Sequence, residues 1–469
     1  MHLLTTGCGL FLSVLFSYQC LAEEADRKIP EVDRRSSLET EITGVTRGSA
    51  DLVAPRQTPQ GQVCRYGGAF PFQVAPKMAG MTCSLRNEHL PVGDFENGAD
   101  LILFDDLANI SADGAVPISR NRKYLHPETG KPRIAIGYPV VGGFVPRGAR
   151  RADGSPHPHA GTGFGLCEVL DFPMYGSFEQ GYYKKEDKKT DMVRMTEVRQ
   201  FVYDGAEFRV SATETTTLAN PPQAPNSDWA LIWPGLTFAI ADEDDLLYPT
   251  FAAKGDETTW IPTPVASGVS RWRRLDGNWQ PVSFVPVAPQ EGEGMWAEPS
   301  LIRDVDGALL FSARGAYGDF DNLVRVWRST DSGDNWKLIV DLPNARGQAP
   351  VTLNRAADGT PYVVANLLGH ERDWLGLWPL TANRSALGTM ISVRNALEEF
   401  GPPPSGIVWF MDHPSAATLR LADGKWHNVL TYRLMDRGEH GGDEPAPQTG
   451  QYVEEVFSIG ETKPMWNFE

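Results

Sequence analysis

The chain has 469 residues, with 60 acidic against 43 basic side chains and a formal net charge of −17. Its hydrophobic fraction of 41% and aromatic fraction of 10% are typical of a globular protein and exclude a disordered chain. The acidic balance argues against a nucleic-acid partner, because binding to phosphates requires a basic surface. An anionic substrate stays open, since a few arginines in a cleft set the local potential.

The N-terminal segment, residues 1–22, differs from the rest because it contains no Asp, Glu, Lys or Arg. Its apolar run over residues 10–16 and the small Ala22 before two glutamates are typical of a secretory signal peptide, with an uncleaved anchor as the alternative. We predict a signal peptide at 1–22, a polar leader at 23–60 and one folded domain at 61–469. The protein is then secreted or periplasmic, and no later segment has the apolar length of a membrane span.

Cleavage after residue 22 would leave three cysteines, Cys64, Cys83 and Cys167. An odd number allows at most one disulfide, for which Cys64–Cys83 is the natural pair because it closes a short loop. Three buried thiols are the alternative. No CxxC pair is present, so we expect no thiolate zinc site.

From residue 61 onward the sequence indicates β-strands. Short runs rich in Val, Ile, Phe, Tyr and Trp recur, and several alternate apolar and polar residues, as in a strand with one buried face. Asp-Gly, a dipeptide typical of tight hairpin turns, occurs seven times, beginning at Asp113, Asp153, Asp204, Asp276, Asp306, Asp358 and Asp423. This rhythm indicates one hairpin in each repeat of about fifty residues. We therefore predict an all-β propeller, with six blades favoured over seven.

An eight-residue segment, 329–336, matches the Asp-box pattern S-x-D-x-G-x-x-W through Ser329, Asp331, Gly333 and Trp336. In such a turn the carboxylate accepts hydrogen bonds from backbone amides, and the indole packs between blades. The motif builds a blade and is not a catalytic site. Together with the preceding stretch, which opens at Glu298, it resembles the sialidase superfamily of Asp-box (BNR) β-propellers over about 40 residues.

The resemblance implies a glycoside hydrolase of the exo-sialidase type, acting on an acidic or decorated glycan. In sialidases three arginines hold the substrate carboxylate, a Tyr–Glu pair supplies the nucleophile, and an aspartate is the acid/base. By position, Glu298 is similar to that glutamate and Arg314 to one arginine, with Arg346 and Arg372 as companions that bind substrate. Guanidinium groups suit this task because their planar fork matches a carboxylate with two parallel hydrogen bonds.

Two features depart from the sialidase pattern. The Arg-Ile-Pro motif that carries the first arginine is absent, and no tyrosine stands clearly at the nucleophile position, for which Tyr432 and Tyr317 are the nearest candidates. A tyrosine needs an adjacent base to act as a nucleophile near neutral pH. Trp296, two residues before Glu298, is the candidate platform for a sugar ring.

A second candidate site begins at His157 and His159, which would face the same side of a strand. With Tyr183 and Arg199 downstream, these residues are what a uronate-specific polysaccharide lyase needs. The arginine would neutralise the carboxylate, a His or Tyr would remove the α-proton, and a Tyr would protonate the leaving oxygen. The alternatives for the histidines are that they fill a turn or begin a zinc site with no evident third ligand.

We expect no cofactor or metal, an acidic oligo- or polysaccharide as the partner, and a monomer. The hydrolase, the lyase and a propeller that only binds glycan or protein are all compatible with this architecture. Whether Glu298 and Arg314 meet the two histidines at one mouth of the propeller bears directly on the choice of site.

Overall fold

The computed structural model describes residues 48–51, 53–57, 63–87, 98–178, 181–183, 187, 191–211, 223–225, 227–254, 264–291, 294–316, 323–341, 349–367, 372–403, 408–437, 453–461 and 464–468. Almost every regular element within these ranges is a β-strand. Among the described residues, no helix is long and apolar enough to cross a membrane. The predicted signal peptide lies outside the described residues.

The strands divide into two halves along the chain. The first half comprises β1 Gly48–Asp51, β2 Val53–Gln57, β3 Val63–Ala75, β4 Met78–Asn87, β5 Gly98–Phe104, β6 Val116–Arg120, β7 Arg122–Leu125, β8 Pro132–Val145, β9 Thr162–Pro173, β10 Val193–Tyr203, β11 Phe208–Val210, β12 Ala230–Pro234, β13 Ile240–Asp242 and β14 Asp245–Ala253. The second half comprises β15 Val265–Leu275, β16 Asn278–Pro289, β17 Met295–Arg303, β18 Leu309–Ala316, β19 Val324–Ser329, β20 Lys337–Asp341, β21 Thr352–Arg355, β22 Pro361–Asn366, β23 Trp374–Pro379, β24 Ile391–Asn395, the short helix α1 Ala396–Phe400, β25 Val408–Arg420, β26 Trp426–Arg437 and β27 Val453–Glu461.

These strands form six antiparallel sheets, the blades. Blades one to five are β2–β6, β7–β11, β12–β16, β17–β20 and β21–β24, and blade six joins β25–β27 to β1. The blades contact one another in a closed ring, because β3 packs on β8, β8 on β14, β14 on β17, β17 on β21, β21 on β25 and β25 on β3. The prediction of a six-bladed β-propeller is confirmed.

Turn chemistry explains why the chain folds into hairpins here. The glycine of each of the seven Asp-Gly pairs has φ between 78° and 105°, a conformation that glycine adopts without the steric penalty of a Cβ. Six of these turns join consecutive strands of one blade, and the turn at Asp153 lies in the loop between β8 and β9.

The Asp box forms the hairpin between β19 and β20. The Asp331 carboxylate accepts hydrogen bonds from the Asn335 backbone N–H at 2.9 Å and the Ser329 hydroxyl at 2.7 Å. The Trp336 indole donates to the Gly333 carbonyl at 2.9 Å and packs edge-on against Phe311. The motif therefore holds a blade together, as the sequence predicts.

Aromatic packing joins neighbouring blades. Phe164 on β9 is fully buried and stacks on Trp272 of β15, with ring centroids 3.8 Å apart. Its edge meets Tyr248 of β14 at 5.6 Å. This cluster ties blade two to blade three.

The N-terminal part of the propeller differs from the sequence predictions at the leader and at the cysteines. Strands β1 and β2 fall within the predicted leader, yet they pair with β27 and β3. In the β3–β4 ladder Cys64 faces Asn87 whereas Cys83 faces Ala69. This register argues against a Cys64–Cys83 disulfide, because its cysteines need Cα atoms within about 7 Å.

Candidate functional site

Each blade has two ends, and the candidate residues separate between them. The β17–β18 ladder begins with Met295 opposite Ala316, pairs Ala297 with Arg314, and ends with Arg303 opposite Leu309, where the Asp-Gly hairpin closes it. Leu309 also pairs with Ser329, so the Asp box lies at the same end, which we call the turn end. We call the opposite end the mouth; it carries Glu298, Arg314, Arg372 and His413.

Three residues at the mouth adopt a left-handed backbone although none is glycine. Their φ angles are 51° for Glu298, 74° for Arg372 and 49° for His413. Glu298 and His413 lie at register shifts of β17 and β25, where a bulge redirects the side chain. The other non-glycine residues of this kind in the described ranges lie in turns, at Glu243, Asp276, Ser332 and Arg384. Such strain costs roughly 1–3 kcal/mol per residue and clusters at functional sites.

Glu298 is the centre of the mouth. Its carboxylate accepts a hydrogen bond from Nε of Arg314, and its Oε1 lies 3.9 Å from Nε2 of His413. Burial raises the pKa of this carboxyl, but the nearby charges of Arg314, His413 and Arg372 outweigh burial and lower the pKa to about 2. The Glu298, Arg314 and His413 side chains are 25%, 17% and 27% exposed, so solvent reaches the cluster.

Arg372 connects the mouth to blade six. Its guanidinium carbon lies 4.5 Å from the centre of the Phe410 ring, a cation–π contact. Its carbonyl accepts a hydrogen bond from the Met411 backbone N–H at 2.8 Å. Among the described residues, the guanidinium groups of Arg314 and Arg372 and the imidazole of His413 therefore surround the Glu298 carboxylate.

His413 is a residue of the candidate site that the sequence did not predict. The available signal is the His413-Pro414 dipeptide after the apolar run Val408–Met411, because proline interrupts a strand and restricts the residue before it. Arg346 and Tyr317, also proposed from the sequence, lie outside the described residues.

Trp296 and Tyr432 are buried, so neither side chain is placed to contact a substrate. Trp296 is 1% exposed, with its ring edge-on to Trp327 at 5.3 Å, so it offers no face to a sugar. Tyr432 is fully buried in the core, and its hydroxyl accepts a hydrogen bond from Arg394 at 3.4 Å. The expectation that Trp296 is a sugar platform is corrected, because neighbouring strands cover the indole.

The two histidines lie at the turn end. His157 is buried, its Nδ1 accepts from the His159 backbone N–H at 3.2 Å, and its Nε2 therefore donates to the Glu243 carbonyl at 3.0 Å. Burial lowers the pKa of His157, which favours this neutral imidazole. The His159 ring packs edge-on to Trp279 at 5.4 Å. Both histidines thus pack within the loop between β8 and β9, which agrees with the alternative that they fill a turn.

A hydrogen-bond chain locates this loop relative to the mouth. Glu243 follows Asp242, which binds Arg303 at 2.8 Å. Arg303 ends β17 five residues beyond Glu298, so about 16 Å of strand separates the two places. The histidines and Glu298 do not share a mouth.

The structure does not bring the proposed lyase residues together. Arg199 is buried and forms an ion pair with Glu197, which Arg122 also binds. Tyr183 stacks on Phe172, seven residues along β9 from Gly165, the partner of Arg199 in the ladder. Within the described part of the chain, no group of three or more His, Cys, Asp or Glu side chains is placed to hold a metal ion.

Comparison with known proteins supports the fold. The chain matches no protein-family model and no curated protein sequence. A solved structure from Dyadobacter fermentans, described as a protein of unknown function, is 14% identical over 89% of this chain and 100% of that chain, with a TM-score of 0.50. A Trypanosoma rangeli sialidase is 12% identical over 88% of this chain and 59% of that chain, with a TM-score of 0.47. The NanB sialidase of Streptococcus pneumoniae is 9% identical over 89% and 71%, with a TM-score of 0.44.

At these identities the likeness concerns the fold alone. The chain is a six-bladed β-propeller, as the sequence predicts.

Proposed function

We propose that the protein is a carbohydrate-active enzyme, a glycoside hydrolase that acts on a carboxylated glycan at the mouth. One observation carries the proposal: Glu298, Arg314, Arg372 and His413 converge from blades four to six, and three of them have strained backbones. An ionised carboxylate, two guanidinium groups and an imidazole provide both anion binding and proton transfer.

The arginines bind the substrate carboxylate. Arg314 uses its Nε for Glu298, and its Nη groups have no hydrogen bond to the described residues. These Nη groups are the donors that a bidentate carboxylate contact requires. Arg372 supplies the second positive charge from its position over Phe410.

His413 transfers the proton. With a pKa of about 2, Glu298 is too weak a base to hold a proton near neutral pH. A neutral imidazole can accept a proton, and the Glu298 carboxylate beside it stabilises the imidazolium that forms. In this proposal His413 accepts a proton from a water whose oxygen bonds to the anomeric carbon while the glycosidic C–O bond breaks, and the leaving oxygen takes its proton from solvent water. Because no covalent enzyme intermediate forms, this single displacement inverts the anomeric centre.

A uronate lyase at the same mouth is the second candidate. The observation in its favour is His413 itself, an imidazole that lies 3.9 Å from the Glu298 carboxylate, which Arg314 and Arg372 also approach. The arginines would acidify the α-proton of a uronate, and His413 would remove it. As the C=C bond forms, the glycosidic C–O bond would break, and the leaving oxygen would take its proton from solvent water. This version does not use His157, His159, Tyr183 or Arg199.

Product analysis tests the proposal. The purified protein is incubated with sialyl-oligosaccharides and with uronate polymers, with the E298Q variant in parallel. Hydrolysis creates a reducing end of inverted configuration, visible by proton NMR, whereas elimination creates an unsaturated product that absorbs in the ultraviolet. We expect the wild-type protein to form a reducing end and E298Q to form none. Unsaturated product supports the lyase, and no product from any substrate supports a binding propeller.

A further inference from the structure

A second cavity lies at the turn end of the propeller axis, away from the mouth. Its volume is about 210 Å³, and the lining includes Phe72, Phe238, Arg303, Asn354, Arg355 and Trp466. Arg303 and Arg355 are the last residues of β17 and β21, just before the hairpin turns.

A hydrogen-bonded layer separates this cavity from the mouth. The Leu236 backbone N–H donates to the Pro299 carbonyl at 2.8 Å, and the Leu236 carbonyl accepts from the Ser415 hydroxyl at 2.5 Å. Pro299 follows Glu298 directly, and Ser415 is two residues after His413. The layer therefore lies below the mouth, and the cavity is a separate compartment.

Asn354 brings a buried amide to this compartment. The residue is 4% exposed, and its Oδ1 accepts a hydrogen bond from Thr418 at 3.4 Å. Its Nδ2 has no hydrogen-bond partner among the described residues. A buried donor without an acceptor is unfavourable, so a ligand atom that accepts this hydrogen bond would be stabilised.

Arg355 is a positively charged residue in the lining of the cavity. The adjacent acids already have partners, because Asp304 binds Arg384 at 2.7 and 3.0 Å and Asp242 binds Arg303 at 2.8 Å. In the described ranges the Arg355 guanidinium forms no hydrogen bond or ion pair, and burial lowers its pKa. Asp304 is close enough to act on Arg355 through its charge, but among the described residues no carboxylate contacts this guanidinium.

The remaining walls are flat and apolar. Phe72 and Phe238 stack with centroids 4.1 Å apart, and Phe144 packs on Phe72 at 5.6 Å. Trp466 comes from the segment 464–468, which is fixed where Asn467 accepts from the Arg150 backbone N–H at 2.8 Å. These rings would cover the body of a small ligand.

We propose that the axial cavity binds a small organic carboxylate with a flat apolar body. The carboxylate accepts hydrogen bonds from the Arg355 guanidinium and from Nδ2 of Asn354, and the apolar part lies against Phe238 and Trp466. The volume is below the range of about 300–1,000 Å³ typical of drug-sized ligands, so the ligand has the size of a single ring. This site does not depend on the function proposed for the mouth.

Calorimetric titration with benzoate tests the site, with benzamide as the uncharged analogue of the same shape. We expect one benzoate per chain and at least tenfold weaker binding of benzamide. R355Q and N354L should each weaken benzoate at least tenfold. R372Q, which changes an arginine at the mouth, is the matched control and should leave benzoate binding unchanged.

Several results would overturn the proposal. They are absence of benzoate binding, equal binding of benzoate and benzamide, or binding lost in R372Q but kept in R355Q. If R355Q does not fold, the preference of the wild-type protein for benzoate and the N354L result decide the question.

Discussion

Replacing Glu298 with glutamine removes the carboxylate that faces Arg314, Arg372 and His413. Folding lowers the pKa of this carboxyl from an ordinary 4.5 to about 2, and each pKa unit is worth 1.36 kcal/mol, so its ionisation stabilises the fold by about 3 kcal/mol. Because the folded pKa is the lower one, this stabilisation is complete above about pH 4.5 and is lost as the pH falls towards 2. About 2 kcal/mol of it should be lost at about pH 3.

Urea unfolding at about pH 7 and about pH 3 measures this contribution. E298Q should be less stable than the wild type at the higher pH by up to about 3 kcal/mol, and its stability should fall less on acidification. Glu128→Gln, at an exposed position between β7 and β8, is the control and should behave as wild type. The reasoning is refuted if E298Q matches the wild type at both pH values.

Three further predictions concern the scaffold. Phe164→Ala should lower the free energy of unfolding in urea by about 3–5 kcal/mol, because Phe164 is fully buried. Phe178→Ala, at an exposed position, is the control and should change it by less than about 0.5 kcal/mol. Equal effects of the two substitutions would contradict the contact of Phe164 with Trp272 between blades two and three. Burial lowers the pKa of His157, so on acidification the unfolded chain binds a proton before the folded chain does, and the free energy of unfolding should fall below about pH 6.5. The H157Q variant should lack this part of the pH dependence of unfolding in urea. A pH profile of H157Q equal to that of the wild type would count against a buried neutral imidazole. Burial raises the pKa of Cys167 to about 11, so little thiolate is present at about pH 8. Iodoacetamide at this pH should therefore label Cys167 only after denaturation, which peptide mass spectrometry detects. Labelling of the native protein would show that the thiol is accessible.

The fold was predictable because its signals are local. Each Asp-Gly turn and the Asp box contain, within a few residues, the groups that set the backbone conformation and satisfy its hydrogen bonds. The repeat of such turns indicates blades without any knowledge of long-range contacts. Strand β1 lacks such a signal, because its pairing with the C-terminal β27 depends on the closed ring. Strand β2 pairs locally with β3, but no Asp-Gly pair joins them.

Only those residues of the candidate site that lie on one hairpin could be predicted from the sequence. Glu298 and Arg314 lie on the two strands of one hairpin, so a sequence pattern relates them. His413 belongs to a different blade, and its approach to Glu298 arises from the packing of β17, β21 and β25 around the axis. Burial is equally non-local: Trp296 is covered by its surroundings, which no spacing rule reveals.

Steady-state kinetics on a substrate that the wild type cleaves tests the central claim most directly. H413A and R372A should lower kcat/KM at least a hundredfold, because they remove the proton acceptor and a carboxylate ligand at the mouth. H159A, which changes a histidine at the turn end, should retain wild-type activity. A protein inactivated by H159A but not by H413A or R372A would contradict the assignment of the site to the mouth.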